Sequence, residues 1–374
     1  PGHRAAPDGD AVAKAADLLV NAKNPVLNLG GGVLSAEAWD EAKELAELLS
    51  MPVATTLVAK GVFPENHPLA MGMGCYPRSR YASGAAMHMN RKADVVLAVG
   101  NSYRLPNGTD GRPIPEEVSL IHVNADEADL NKQYQLALRS ILDAVKDRVG
   151  PGKGGLKEEV VAEIKQAKDK QSAEWADIVN DTSSPTTGYR VVHELAKIID
   201  PDKTVALHDA GGSRGYMSPF WEATKPRSYV GMGGMAAMGW SLGGAIGAKL
   251  GRPDDLVVHL LGDASFGMVG MELETAVRMG ISTLTIVVNN EGTGGGLMGM
   301  NGPSGPPPDM AKLTGNWSKV AEGLGAWTER VEEPLDVGPA LQRAITATEN
   351  GQAALLEIMI KPMAMPNTPD DWSL

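Results

Sequence analysis

The feature that most constrains this 374-residue chain is a set of three polar, glycine-rich loops, each directly after a short unbroken apolar run. Thr204–Leu207 runs into HDAGGSRG, Leu256–Leu261 into GDASFG, and Thr283–Val288 into NNEGTGGG. Such runs read as strands buried on both faces, the mark of a parallel sheet. Helical patterns separate them: the small-residue stretch Gly239–Leu250 and the segment Gly270–Met279. Strand, loop and helix in this order give a doubly wound sheet, in which ligands sit outside the carboxyl ends of the strands. The three loops are therefore expected to line one crevice. Ala354–Ile360 is expected as the last strand, before a proline-containing tail able to cover a site.

The first half repeats the alternation. Pro25–Leu29 reads as a strand ending in Gly30, Gly31 and Gly32, and Ala36–Leu49 as a helix with Ala38, Ala42, Leu45, Ala46 and Leu49 on one stripe. Pro52–Leu57, Ala93–Val99 and Leu120–Val123 are further strands. Then GPGKGG, a charged helix over Leu156–Val179 and the polar NDTSSPTTG interrupt the pattern. The expected fold class is α/β, with two doubly wound parallel-sheet domains over residues 1–150 and 188–374, joined by a helix and polar linker over 151–187.

A net charge of -12 argues against a nucleic-acid partner, which requires a basic face. The single cysteine, Cys75, excludes an internal disulfide framework and a Cys-rich zinc site, and reads as a buried structural thiol. No apolar run approaches the roughly 20 residues of a membrane helix, and no secretory signal is visible, so a cytoplasmic setting is the default expectation. The chain opens on Pro1 rather than methionine, which reads as a processed or cut product.

The chemistry concentrates between residues 262 and 290. Asp263 ends one strand and Asn290 the next, so both are expected at the same crevice. A carboxylate and an amide oxygen are hard ligands for Mg²⁺ or Ca²⁺, and no histidine or cysteine joins them as zinc would require. Gly262, Ala264 and Gly267 would admit an anion closely. Ser265 and the amides at the helix start would donate to phosphate oxygens, with the metal bridging. The same residues also suit a helix-capping aspartate and an asparagine turn.

Gly262-Asp263 followed at this spacing by Asn289-Asn290 resembles the magnesium and diphosphate motif of thiamine diphosphate (ThDP) enzymes. The resemblance implies Asp263, Asn290 and the main chain of Gly292 as metal ligands, with Gly262, Ala264, Ser265 and Gly294 at the diphosphate. Ala264 stands where many members have glycine. GGMAAMGWSLGGAIGAKL, residues 233–250, resembles the segment that grips the aminopyrimidine. There Met238 would wedge between the cofactor's rings and the Ala236 carbonyl would accept from its exocyclic amine; core packing is the other reading of Met238. Asp209–Tyr216 resembles the first diphosphate loop, with Gly211, Gly212 and Ser213 as contacts and Arg214 toward substrate or on the surface. GGGV, PVATTLVAKGVFPENHPLAMGM and IHVNADEADLNK resemble the middle domain of the acetolactate synthase and oxalyl-CoA decarboxylase branch, so the likeness spans nearly the whole chain. That domain binds FAD or ADP in some relatives, a CoA nucleotide in CoA-using ones, and nothing in others. The glycine cluster alone does not choose.

The family's catalytic glutamate comes from a pyrimidine-binding domain that normally precedes the middle domain. The resemblance thus implies a partner domain or subunit and a homo- or hetero-oligomer, and neither Glu44 nor Glu272 is expected to substitute. The expected function is ThDP- and Mg²⁺-dependent making or breaking of C–C bonds in 2-oxo acids or related carbonyl compounds, acetolactate synthase-like carboligation or decarboxylation. NNEGTGGGLMGMN lacks the tryptophan that such synthases carry there, which points to a specialised relative. A 2-hydroxyacyl-CoA lyase or oxalyl-CoA decarboxylase-like enzyme is the alternative, with Arg78, Arg80 and Arg91 either meeting phosphates or solvated. Glu291 is the candidate catalytic proton donor or acceptor, or else a surface carboxylate. A non-catalytic cofactor-binding subunit is the third reading, disfavoured because Asp263, Asn290 and Met238 are all present.

Overall fold

The structure, a computed structural model, describes residues 7–75, 82–101, 114–124, 134–232, 237–293 and 311–362. These form two compact units. The first takes the described residues up to Glu174 together with Ala223–Arg227; the second takes Trp175–Glu222 and the described residues from Ser228 onward.

The first unit is built on five parallel strands: β1 (Pro25–Leu29), β2 (Val53–Thr55), β3 (Ala70–Met73), β4 (Val95–Val99) and β5 (Ser119–Val123), in the order β3-β2-β1-β4-β5. β1 and β4 are buried along their whole length, as their apolar runs require. Six helices accompany them: α1 (Gly9–Asn21), α2 (Gly31–Ala36), α3 (Trp39–Leu49), α4 (Gly84–Lys92), α5 (Tyr134–Val149) and α6 (Glu158–Val179). Asp8 caps α1 by accepting from the Ala11 amide, and Ser83 caps α4 through the Ala86 amide. The helix expected over Ala36–Leu49 begins at Trp39, after the separate short helix α2 has ended at Ala36. Glu37 turns left-handed at φ 57, its N–H closes α2 on the Val33 and Leu34 carbonyls, and the chain restarts at Trp39. Within α6, Ile164 and Ala167 are buried in the core of this first unit. Cys75 is buried there too, with its sulfur against the Leu29 and Ala54 carbonyls, and burial pushes its thiol pKa far up.

The second unit holds six parallel strands: β6 (Thr204–His208), β7 (Tyr229–Val230), β8 (Leu256–Gly262), β9 (Leu284–Asn289), β10 (Trp327–Val331) and β11 (Ala354–Met359). Their order is β10-β11-β9-β8-β6-β7. The helices are α7 (Gly188–Ile198), α8 (Gly212–Phe220), α9 (Trp240–Gly251), α10 (Asp263–Val269), α11 (Leu273–Arg278), α12 (Trp317–Gly323) and α13 (Val337–Glu349). From β6 the chain moves to one side for β7 and to the other for β8 and β9. The strand order therefore reverses at the β6/β8 pair, and a doubly wound sheet opens its ligand crevice at such a reversal. Among the described residues, no helix is long and apolar enough to cross a membrane.

Candidate functional site

Loops leave β6, β8 and β9 at this end of the sheet, and one buried carboxylate ties the first of them to the entry of α9 and to α10. Asp209 follows β6, and its N–H donates to the Leu260 carbonyl on β8 (2.9 Å). Its side chain is wholly buried. Oδ1 accepts from the Gly239 amide (2.9 Å) and the Ser265 hydroxyl (2.8 Å), and Oδ2 from the Ser241 amide (3.0 Å). Sequence reading took Asp209 only as the first residue of its loop. The available signal was its position: it directly follows β6 as Asp263 directly follows β8.

In that loop Gly211 adopts φ +67 with nothing within 4 Å of the space a Cβ would fill. Gly212 opens α8 and is exposed, whereas Ser213 is buried and its hydroxyl donates to the Ala210 carbonyl (2.8 Å). The hydroxyl protons of Ser213 and Ser265 are thus both committed inside the protein. Of the backbone and hydroxyl donors expected at these turns, the two hydroxyls therefore bond within the protein.

Asp263 is the first residue of α10 and only 2% exposed. Its Oδ1 accepts from the Ala264 amide (2.9 Å) and its Oδ2 from the Gly292 amide (2.7 Å). Burial pushes its pKa up to about 6; the two amides pull the other way, and the Glu357 carboxylate adds to the rise. Gly262, not Asp263, occupies the helix cap.

The Asn pair divides its labour. Asn289 donates to Glu357 Oε1 (2.7 Å) and accepts from the Glu291 amide (2.8 Å), an Asx turn of the kind its residue type favours. Glu357 is buried without exposure and also accepts from Arg330 (2.9 Å) and the Ser318 amide (2.9 Å). Asn290, half-buried, bonds no described residue with its side chain. Glu291 is exposed and held left-handed at φ 57, and the turn returns the buried Gly292 to Asp263.

Met238 is 42% exposed and so lies outside the packed core. It precedes Gly239, where φ is +86 and an added Cβ would stand 2.6 Å from Val269 Cγ1. Gly262 faces open space, but a Cβ at Gly267 would meet the Trp317 ring at 3.1 Å. Gly267 is therefore small to admit an indole rather than an anion. Ala236, Gly294, Arg78 and Arg80 lie outside the described residues. Arg91 is exposed in the last turn of α4, Arg214 is half-buried on α8, Glu272 is exposed, and Glu44 pairs with Lys146 and Arg139. In the first unit, the Gly30 and Gly32 amides donate to the Val99 and Gly100 carbonyls (2.8 and 3.1 Å). A Cβ at Gly30 would stand 2.2 Å from Gly100 O, so backbone packing accounts for that glycine.

No cluster of three or more His, Cys, Asp or Glu side chains able to hold a metal occurs among the described residues. A cation at Asp263 would have to draw on mixed carboxylate, amide and main-chain oxygens, the donor set that magnesium accepts. Asp263 bonded to the Asn290–Gly292 turn, an Asn290 side chain that bonds no described residue, and open space over Gly262 and Gly211 fit a magnesium-bridged diphosphate.

The thiamine pyrophosphate enzyme central domain matches residues 12–147, and the C-terminal TPP binding domain matches residues 209–358. A probable acetolactate synthase large subunit of Methanococcus aeolicus is 29% identical over 377 residues, covering 94% of this chain and 60% of the relative. The acetolactate synthase large subunit of Corynebacterium glutamicum is 29% identical over 377 residues, covering 92% and 56%. A sulfoacetaldehyde acetyltransferase of Alcaligenes xylosoxydans xylosoxydans is 30% identical over 386 residues, covering 94% and 63%. The chain thus spans between 56% and 63% of the length of these curated relatives. With two parallel-sheet units matching two successive domain models, the chain belongs to the thiamine pyrophosphate-dependent enzymes and carries their central and C-terminal TPP-binding domains.

Proposed function

We propose that this chain forms the diphosphate-binding part of a magnesium-dependent ThDP enzyme that makes or breaks C–C bonds in small 2-oxo acids, in the manner of an acetolactate synthase-like carboligase or decarboxylase. The observation that carries the reading is the convergence of Asp263 and the Asn290–Gly292 turn on the crevice at the β6/β8 reversal. Asp263, the Asn290 amide oxygen and the Gly292 main chain would hold Mg²⁺. The amides after Gly211 and Gly262 would hold the diphosphate, and the exposed Met238 would bend the cofactor. When bound, ThDP supplies a centre that adds to a carbonyl and takes up the electrons of the breaking C–C bond. Glu291, beside the metal turn and exposed, is the proposed proton donor or acceptor of this chain. A pyrimidine-binding domain, from the same polypeptide or from another subunit of an oligomer, would complete the site.

Acetolactate synthases among the relatives favour a 2-oxo acid donor. The sulfoacetaldehyde acetyltransferase supports a second reading, cleavage of a substituted aldehyde with transfer of the two-carbon unit. An acyl-CoA reading has less support: Gly30 is taken up by packing, and Arg91 is exposed on α4.

The test is calorimetric titration of ThDP into the intact protein, with and without Mg²⁺, for wild type and Asp263→Ala. Saturable, magnesium-dependent binding lost in the variant is the expected result; binding indifferent to both would refute the site. Turnover of pyruvate against sulfoacetaldehyde then separates the two reactions, and Glu291→Gln should lower kcat without changing ThDP affinity.

A further inference from the structure

We infer that Asp209 is the positioning residue that ties the loop after β6, the segment entering α9 and the start of α10 into one site, an inference that rests on the ThDP reading above. Its two oxygens receive three donors from two stretches of chain, the entry to α9 and the first turn of α10. The Gly239 amide belongs to the residue after the proposed wedge Met238, and the Ser241 amide to the first turn of α9. The Ser265 hydroxyl belongs to α10, two residues beyond the proposed metal ligand Asp263. Asp209 itself opens the loop that carries Gly211 and is pinned to β8 through its own amide.

The placement decides what the carboxylate can do. Asp209 is 0% exposed, and Ser265 and Ser241 are buried with it, so its bonds are formed away from water and are the strong, charge-assisted kind. Oδ1 is shared between Gly239 and Ser265, so the wedge segment and the metal helix hang on a single oxygen. Gly239 sits at φ +86, where an added Cβ would stand 2.6 Å from Val269 Cγ1, and the Asp209 oxygen holds its amide there. Met238, exposed and attached to that amide, is thereby set relative to Asp263 without touching it. Asp209 needs no contact with the cofactor to set the distance between the wedge and the metal.

The test uses the intact protein and the variants D209N, S265A and D209N/S265A, with ThDP and Mg²⁺ as the probes. D209N keeps the shape but presents an amide donor to a backbone donor, so ThDP affinity should fall by about tenfold to a hundredfold. S265A, which removes one of the three donors, should weaken ThDP binding by roughly threefold to tenfold. Because Ser265 acts through Asp209, the double variant should bind no worse than D209N. Hydrogen exchange in the cofactor-free protein supplies the readout that a generally weakened fold would not give: the Gly239 and Ser241 amides should exchange at least tenfold faster in D209N, with β8 and β9 as protected as in wild type. At saturating ThDP the KM for the carbonyl substrate should be unchanged. If wild type binds ThDP and a folded D209N binds it within twofold, the inference is overturned and the site reading survives. Wild type that fails to bind ThDP at all overturns both. Should D209N not fold, S265A alone decides: unchanged ThDP affinity in that variant overturns the coupling.

Discussion

Replacing Asp263 by asparagine should make the metal-free protein more stable while abolishing its response to magnesium. The carboxyl is 2% exposed and holds its proton up to about 6, against an ordinary 3.8. That rise corresponds to about 3 kcal/mol against the charged form at neutral pH. The folded state binds this proton more tightly than the unfolded one, so stability falls as pH rises through the window from 3.8 to about 6. The penalty is fully present above that window and absent below it. Asparagine removes the charge but turns an acceptor of the Ala264 or Gly292 amide into a donor, at a cost of about 1–2 kcal/mol. The net gain at pH 7.5 is about 1–2 kcal/mol, which for a unit of this size raises Tm by about 2–8 °C.

Scanning calorimetry of wild type and Asp263→Asn in EDTA, at pH 7.5 and pH 4.5, measures this directly. The variant should melt higher at pH 7.5 and lose that advantage at pH 4.5, where the wild-type carboxyl is protonated. Added Mg²⁺ and ThDP should then raise the wild-type Tm and leave the variant's unchanged. A variant less stable than wild type at pH 7.5 in EDTA would refute the reasoning, because the buried charge would then be contributing to the fold rather than held for a cation.

Other perturbations have equally definite outcomes. His259, wholly buried between Ser241 and Thr285, has its pKa driven by burial from 6.5 down to about 4, so its stabilising neutral state is lost as pH falls through that window. Urea denaturation at pH 7 and pH 5 should show His259→Gln losing about 2 kcal/mol less than wild type on acidification. Gly239→Ala forces a strained φ and a contact with Val269, and should cost about 1–3 kcal/mol in thermal unfolding together with ThDP affinity. Gly243→Ala, whose Cβ would meet nothing, should cost neither. Glu357→Gln weakens the hold on Arg330 and reverses a donor–acceptor pair at Asn289 or Ser318, and should cost about 1–3 kcal/mol and loosen magnesium binding. Cys75 should resist a thiol reagent in the native protein and react fully in denaturant, since it is buried and its thiolate is strongly disfavoured.

How much of this was legible in the sequence depended on whether the cause was local. The cores of β1, β4, β8 and β9 were readable because a strand covered on both faces must be an unbroken apolar run. β3 (AMGM), β10 (WTERV) and the two-residue β7 lie at or near sheet edges and carry no such run, so their pairing is a tertiary fact. The late start of α3 was equally hidden: the left-handed turn at Glu37 that separates it from α2 is a backbone feature its residue type does not announce.

The site divides along the same line. Asp263 and the Asn pair could be matched as a motif because one strand–helix–strand passage joins them, so sequence spacing stands in for distance. Asp209 could not, because its partners lie 30, 32 and 56 residues away and two of them are backbone amides, which leave no mark in a sequence. Glycine is the sharpest case. Gly30, Gly239 and Gly267 are small because Gly100, Val269 and Trp317 press on them, whereas Gly211 and Gly262 face open space beside the crevice. All five read alike as letters in glycine-rich loops. Only what stands opposite each Cα separates a glycine that lets the protein close on itself from one that leaves room for a ligand.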